Sequence, residues 1–364
     1  MPQQIITLFT FNVIKVLLLS ALGAVIAFMI APFLVRLLNR MKFWKKNARS
    51  KTITGEEAEI VYSLHKEREV SVPRGGGVLI WLATLIVIFL FFGLSFVEKP
   101  WWLQKFNFLT RNETWLPLFT LIAASLIGFL DDILSVFGKG RYIAKGLTFK
   151  RRLLIVALIG LAGGWWFHSK LGWDSIHIPL FFNFPYGIDL TLGIWIIPLF
   201  ILVMIASWSG GVIDGLDGLA AGIFAPIFGA FTVIAFSQGK IELASFCAVI
   251  FGGLFAFLWF NIPPARFYMG ETGILGLTST MAVVAFLTDS VVVLPIIAGP
   301  LVIEVSSIIA QLTSKKIRGR KIWLATPIHH HFEAKGMPVY QIVMRFWIIG
   351  VVFAIIGTAV RLLG

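Results

Sequence analysis

Asp214-Gly215-Leu216-Asp217-Gly218 lies between two apolar runs, near 190–207 and 217–237, each long enough to cross a bilayer. A carboxylate at a membrane edge is costly and is usually there for a reason. Asp214 and Asp217 are three residues apart and project from one side of a helix turn. The glycines beside them let backbone or a ligand approach closely. The pair reads as a site for a cation and, through the cation, for a phosphate.

Working outward, the composition places this stretch in a membrane protein. Of 364 residues, 58% are hydrophobic and 13% charged, and the mean hydropathy is +0.90. A soluble domain carries about 25% charged residues, so the expected class is an all-α polytopic membrane protein. Cys247, the one cysteine, sits in an apolar run, which excludes a disulfide framework or a thiolate metal site. The net charge of +13 is assigned to loops facing anionic lipid rather than to a nucleic-acid partner. The first apolar run is long, is interrupted by Lys15 and lacks a clear cleavage site, so no cleavable signal peptide is expected.

Ten spans are predicted, near 13–38, 77–97, 115–134, 153–168, 190–207, 217–237, 241–260, 273–288, 291–313 and 341–363. The loops alternate in charge. Arg36 to Arg74, Lys139 to Arg152, Arg266 and Lys315 to Arg345 carry most of the basic residues. The other set holds only Lys15, Lys99, Lys105, Arg111, Lys170, Lys240 and Arg361. The positive-inside rule puts the first set in the cytoplasm and both termini outside. Asp131, Asp132, Asp214, Asp217, Glu271, Glu304 and His329-His330-His331 then fall at or near the cytoplasmic ends of spans. No internal repeat is evident, which weakens a transporter reading. Without a low-complexity linker, residues 1–364 are taken as one domain.

Three further constellations bear on chemistry. Gly128-Phe-Leu-Asp131-Asp132 closes the third span; two adjacent carboxylates are more than a helix cap needs, which favours metal or acid–base work. In the next loop, Lys139, Lys145, Lys150, Arg151 and Arg152 suit lipid headgroups, and one or two suit a diphosphate or lipid phosphate. The Pro- and Gly-rich loop from Asn261 past Tyr268 ends in Glu271. Oxygen ligands from Asp132, Asp214, Asp217 and Glu271 would suit Mg²⁺. Three consecutive histidines, His329 to His331, cannot easily share one metal on a helix; phosphate or nucleotide contacts and solvated loop residues stay open as readings. No nucleophile–base triad, P-loop or dinucleotide fingerprint is present. A basic cytoplasmic face with acids at its centre suits phosphoryl transfer from a soluble activated donor to a lipid phosphate.

The motifs also occur in a familiar order. Gly128-Phe-Leu-Asp-Asp132, Asp214-Gly-Leu-Asp-Gly-Leu-Ala220, Met269-Gly270 with Gly273, Glu304-Val-Ser-Ser-Ile-Ile-Ala-Gln311, Pro327-Ile-His-His-His-Phe-Glu333 and Arg345-Phe-Trp347 span nearly the whole chain. Together they resemble the bacterial phospho-N-acetylmuramoyl-pentapeptide transferases (translocase I), within the polyprenyl-phosphate N-acetylhexosamine-1-phosphate transferase superfamily. The triple-His segment points to the muramoyl-pentapeptide branch.

The resemblance implies ten spans in the bacterial inner membrane, Mg²⁺ dependence and usually a homodimer. It implies transfer of phospho-N-acetylmuramoyl-pentapeptide from its UDP carrier to undecaprenyl phosphate, giving lipid I and UMP for peptidoglycan synthesis. By matching position, the implied catalytic residues are Asp131, Asp132, Asp214, Glu271 and His330. The implied substrate contacts are Asp217, Asn261, Tyr268, His329, His331, Lys139 and Lys150. The implied Mg²⁺ ligands are Asp214, Glu271 and Asp132.

Several positions depart from the family pattern. Trp208 and Gly211 stand where the family has asparagines, Ser135 where it has a lysine, Glu271 where it has an aspartate, and Ile274 where it has a serine. Val72-Pro73-Arg74-Gly75-Gly76-Gly77 looks closer to the N-acetylglucosamine-1-phosphate branch. A transferase using UDP-N-acetylglucosamine and a non-catalytic, lipid-binding or assembly homologue are the alternatives.

Overall fold

The computed structural model describes residues 2–46, 59–96, 101–109, 112–138, 146–179 and 187–364. In chain order its helices are α1 (Pro2–Arg40), α2 (Glu59–Glu69), α3 (Val78–Leu94), α4 (Trp101–Gln104), α5 (Asn112–Phe137) and α6 (Phe149–Leu171). A hairpin follows, β1 (Ser175–Ile178) and β2 (Ile188–Thr191), antiparallel with His177 opposite Asp189. Then come α7 (Ile196–Ser209), α8 (Leu219–Ser237), α9 (Ile241–Asn261), α10 (Gly270–Leu287), α11 (Leu294–Ile297), α12 (Gly299–Arg318), α13 (Ile328–Ala334) and α14 (Val339–Leu363).

The fold is mostly helical, as the hydropathy predicts, because helices satisfy every backbone group internally in lipid. Among the described residues, eight helical stretches are long and apolar enough to cross a membrane. The two other expected spans differ in kind. The helix α3 is apolar but only 17 residues long. The run expected at 291–313 is broken at Ala298 into α11 and α12, and α12 carries Glu304 and a basic last turn. Each of these two helices has proline at its start, where the missing N–H costs nothing. The β1–β2 hairpin and the loop helices α2 and α13 are not anticipated by hydropathy.

The centre of the bundle is α10, which is 94% buried; over their most apolar stretches α1, α6 and α14 are 28% buried and form the outside. Lipid gives helices little hydrophobic reason to associate, so close packing of small residues decides the neighbours. A Cβ built on Gly252 of α9 would run into Ser20 O of α1, and one on Gly23 would lie 2.7 Å from Val249 O. The α1–α9 seam therefore depends on hydrogen in place of a side chain at both positions.

The start of α1 and the end of α14 lie at one end of the bundle. Phe9 packs edge-on against Phe236, and Arg361 reaches Thr288 O, the carbonyl to which Gln238 also donates. The end of α5 and the starts of α6 and α10 meet at the other end, and the acidic motifs converge there.

Candidate active site

Asp131 and Asp132 come from α5, which packs along α10. Their close approach depends on Gly128, because a Cβ there would overlap Glu271 O. The two neighbours then do different work. Asp132 accepts from Glu271 N (3.1 Å) and Thr272 N (3.0 Å), so both its oxygens cap the first turn of α10. A carboxylate there satisfies orphan N–H groups and faces the positive end of the helix dipole. Gly270 just before it has φ +72°, a conformation natural to glycine, and a Cβ at Gly270 would lie 2.5 Å from Asp132 Oδ2. Asp131 instead accepts from Leu147 N and pairs with the Arg152 guanidinium.

Arg152 stands in the first turn of α6, which Thr148 caps by accepting from Arg151 N. Its Nη2 meets Asp131 and its Nη1 meets Glu271, so one side chain ties α6 to α5 and α10. Together with Trp208, these residues line a cavity of about 10 Å³, roughly the room of one water.

Asp214 follows a 3-10 turn, Gly210–Ile213, and its Oδ2 accepts from Gly270 N at 3.3 Å. Burial raises its pKa to about 6, against the pull of Arg74. Arg74 is held by a backbone pairing that hydropathy does not reveal. Tyr268 N donates to Pro73 O, Gly76 N to Tyr268 O and Gly77 N to Met269 O, at 2.7–2.9 Å. A Cβ on Gly76 or Gly77 would overlap Phe267 or Gly273, so the glycine run at 75–77 lets the chain lie against the start of α10.

The remaining expected residues separate into groups. Asp217, 4% exposed, accepts from Ala265 N at 3.0 Å. Asn261 accepts from Gly218 N (3.0 Å) and donates to Phe267 O (2.8 Å). Both therefore fasten the 214–218 turn to the 262–269 loop. Tyr268 is half-buried on that loop, and Lys150 is exposed at the start of α6. Lys139 lies outside the described residues.

The three histidines sit on α13 and point to three partners. His329 Nδ1 lies 3.1 Å from Glu304 Oε1, both side chains fully buried. His330 Nδ1 and His65 Nε2 reach the same Glu333 oxygen, at 3.0 and 2.9 Å. A carboxylate only accepts, so both imidazoles donate to it. Burial and the neighbouring His329 lower the His330 pKa to about 4. Burial would raise that of Glu333, but the hydrogen bonds from His330 and His65 hold it at about 2. The metal-ligating atoms of His65, His330 and Glu333 lie within 4.8 Å of one another, yet hydrogen bonding alone satisfies the group. His331 Nδ1 accepts from Leu324 N. His329 Nε2 and His330 Nε2 face Gly215, where a Cβ would meet both, so the histidines abut the Asp214 turn.

Mg²⁺ can be tested against this arrangement. Asp131, Asp132, Asp214 and Glu271 form an oxygen-only donor set, the chemistry of a hard cation. Asp131 Oδ2 and Glu271 Oε1 already face a positive charge, the Arg152 guanidinium. The residues fit a cation, and the guanidinium in contact with Asp131 and Glu271 is that of Arg152, while Arg74 acts on Asp131, Asp132 and Asp214. Two expected departures prove to be coupled: a Cβ on Gly211 would overlap Ile274 Cγ2, so the larger residue at 274 fills space that the glycine at 211 leaves.

A helical membrane bundle with an acidic cluster at one end defines the class, and comparison with known proteins agrees. Residues 114–289 match the model of glycosyl transferase family 4. Phospho-N-acetylmuramoyl-pentapeptide-transferase of Geobacillus sp. (strain WCH70) is 32% identical over 340 residues, covering 92% of this chain and 94% of the relative. The protein of that name from Geobacillus thermodenitrificans (strain NG80-2) is 31% identical over 360 residues, 98% of each chain. The one from Bacillus subtilis (strain 168) is 31% identical over 339 residues, 92% of this chain and 94% of the relative. The chain belongs to the phospho-N-acetylmuramoyl-pentapeptide transferase family.

Proposed function

We propose that this protein transfers phospho-N-acetylmuramoyl-pentapeptide from its UDP carrier to undecaprenyl phosphate, releasing UMP and forming lipid I for peptidoglycan synthesis. The observation that carries the reading is the convergence of Asp131, Asp132, Asp214 and Glu271 at one end of the bundle, in a chain whose named relatives match it nearly end to end. The protein crosses the inner membrane ten times, with α3 and α12 added to the eight spans that are both long and apolar. Both termini lie outside, the acidic end faces the cytoplasm, and the protein works as a single domain and a homodimer.

The chain's own residues divide the work. Asp132 holds the first turn of α10 and so places Glu271. Asp131 is not committed to a helix cap and takes the proton of the lipid phosphate when it attacks. A lipid phosphate is already largely ionised at neutral pH, so this base contributes modestly. Asp214 and Glu271 with Asp132 would hold Mg²⁺, which when bound would neutralise the donor diphosphate. Glu333 orients His330 so that its Nε2 faces the Asp214 turn, and His329, His331, Tyr268 and the basic loop with Lys139 and Lys150 surround the sugar nucleotide.

The test is a donor swap in membranes containing this protein and undecaprenyl phosphate. The expected result is lipid product and UMP from UDP-N-acetylmuramoyl-pentapeptide. The Pro73–Gly77 segment favours a second donor, UDP-N-acetylglucosamine. Lipid product from that donor alone would replace the first reading, and no UMP from either donor would leave a non-catalytic homologue.

A further inference from the structure

We propose that Arg152 is a resident counter-ion of the acidic cluster, holding the carboxylate of Glu271, a proposed metal ligand, against Asp131, so that divalent-metal entry and Arg152 release are coupled. The inference rests on the phosphotransferase reading for the metal's purpose, but not for the geometry.

Four observations carry it. First, the grip has two ends: Nη2 on Asp131 of α5 and Nη1 on Glu271 of α10. A planar fork spans two carboxylates in a way a lysine point charge does not. Second, the grip is incomplete. Arg152 Nε is buried without a hydrogen-bond acceptor among the described residues, and Asp131 Oδ2 is buried with the ion pair as its only described partner. Unsatisfied buried polar groups are costly, which lowers the barrier to exchange. Third, the cation expected at position 135 is a serine here. A Cβ on Gly146 would lie 2.7 Å from Asp131 Oδ1, 2.8 Å from Ser135 Oγ and 3.2 Å from Arg152 Nη2, so arginine and serine stand side by side at the carboxylate. Fourth, the cavity has room for about one water. A diphosphate cannot enter while Trp208, Arg152 and Glu271 stay where they are.

The exchange is one of charge. The guanidinium leaves Asp131 and Glu271 as the divalent ion arrives, and the freed guanidinium remains at the start of α6, beside the incoming phosphates. Glu271 is one methylene longer than the family's aspartate, and its carboxylate reaches the Arg152 Nη1 in this structure.

The experiment is a titration of the purified full-length protein with Mn²⁺ as a spin probe for Mg²⁺, without donor or lipid. Free Mn²⁺ is read by electron paramagnetic resonance. The expected result is one site that Arg152→Ala tightens by about 10-fold, within the range typical of coupled sites. Arg152→Lys, which keeps the charge but not the fork, should fall between. Equal or weaker Mn²⁺ binding by Arg152→Ala overturns the proposal. Should that variant not fold, hydrogen exchange on the native protein decides. Saturating Mn²⁺ should speed exchange of the amides at 149–153, and unchanged exchange overturns the coupling. Mn²⁺ competition without UMP release from any donor would sink the functional reading and leave this one standing. UMP release with unaltered Mn²⁺ affinity in Arg152→Ala would do the reverse.

Discussion

The Asp214 turn has a carboxylate cluster on each side, and the two handle buried charge in opposite ways. Toward α10, Asp131, Asp132, Asp214 and Glu271 crowd together, and they are answered by backbone N–H groups, the Arg152 guanidinium and, nearby, Arg74. Toward α13, Glu304 faces His329, and Glu333 takes two imidazoles. On the histidine side Glu333 is hydrogen-bonded by two imidazoles, and Glu304 lies 3.1 Å from His329 as an ion-pair contact without a hydrogen bond among the described residues. In the proposed reading the α10 side takes a mobile cation, whereas the other side positions ring nitrogens against Gly215. In that reading one side exchanges ions and the other holds still.

The largest expected effect breaks the still side. His329→Ala would strand Glu304, fully buried, and should cost about 3 kcal/mol, read as a fall in melting temperature in detergent. An unchanged melting temperature would mean the pair contributes nothing to stability. On the exchanging side the loss should appear in rate. Asp131→Asn should lower UMP release about 100-fold, the low end for a general base, and should lower the melting temperature less than Asp132→Asn, because Arg152 keeps Glu271 as a partner whereas Asp132→Asn also uncaps α10. Equal thermal effects would erase the division between the neighbours. Gly128→Ala forces a methyl onto Glu271 O and should cost about 1–3 kcal/mol, with Glu271 displaced and Mn²⁺ affinity changed with it.

The smallest effect is one of pH. His330 binds its proton near pH 4 when folded and near 6.5 when unfolded. Between those values the unfolded chain holds more protons, so stability falls as pH falls, by about 1 kcal/mol from pH 6.5 to 5.5. Glu333 contributes stability that is present above pH 4.5 and is lost only toward pH 2. His330→Gln should flatten the slope between pH 6.5 and 4. A slope unaltered by that change would assign it to another group.

The hydropathy of the sequence carries the helical bundle, and the acids at span ends mark the site. The break of 291–313 into two helices is less visible, because the apolar run continues through it. Lys150, Arg151 and Arg152 look alike in sequence; only the register of the first turn of α6 sends the third of them to Asp131. Asp131 and Asp132 are likewise indistinguishable until α10 is packed beside them, when one becomes a cap and the other an ion-pair partner. The Gly211–Ile274 match joins elements too distant in sequence for either position to reveal the other. Gly75-Gly76-Gly77 reads as a family variation and turns out to be a surface for the loop before α10.

The most direct test of the account is UMP release from UDP-N-acetylmuramoyl-pentapeptide and undecaprenyl phosphate, with and without Mg²⁺, for the native chain and for Glu271→Asp. The account predicts Mg²⁺-dependent release by the native protein, matched by lipid product, and release retained by the aspartate variant. A silent native chain that the aspartate variant restores would contradict it, because Glu271 would then be the residue that disables the site.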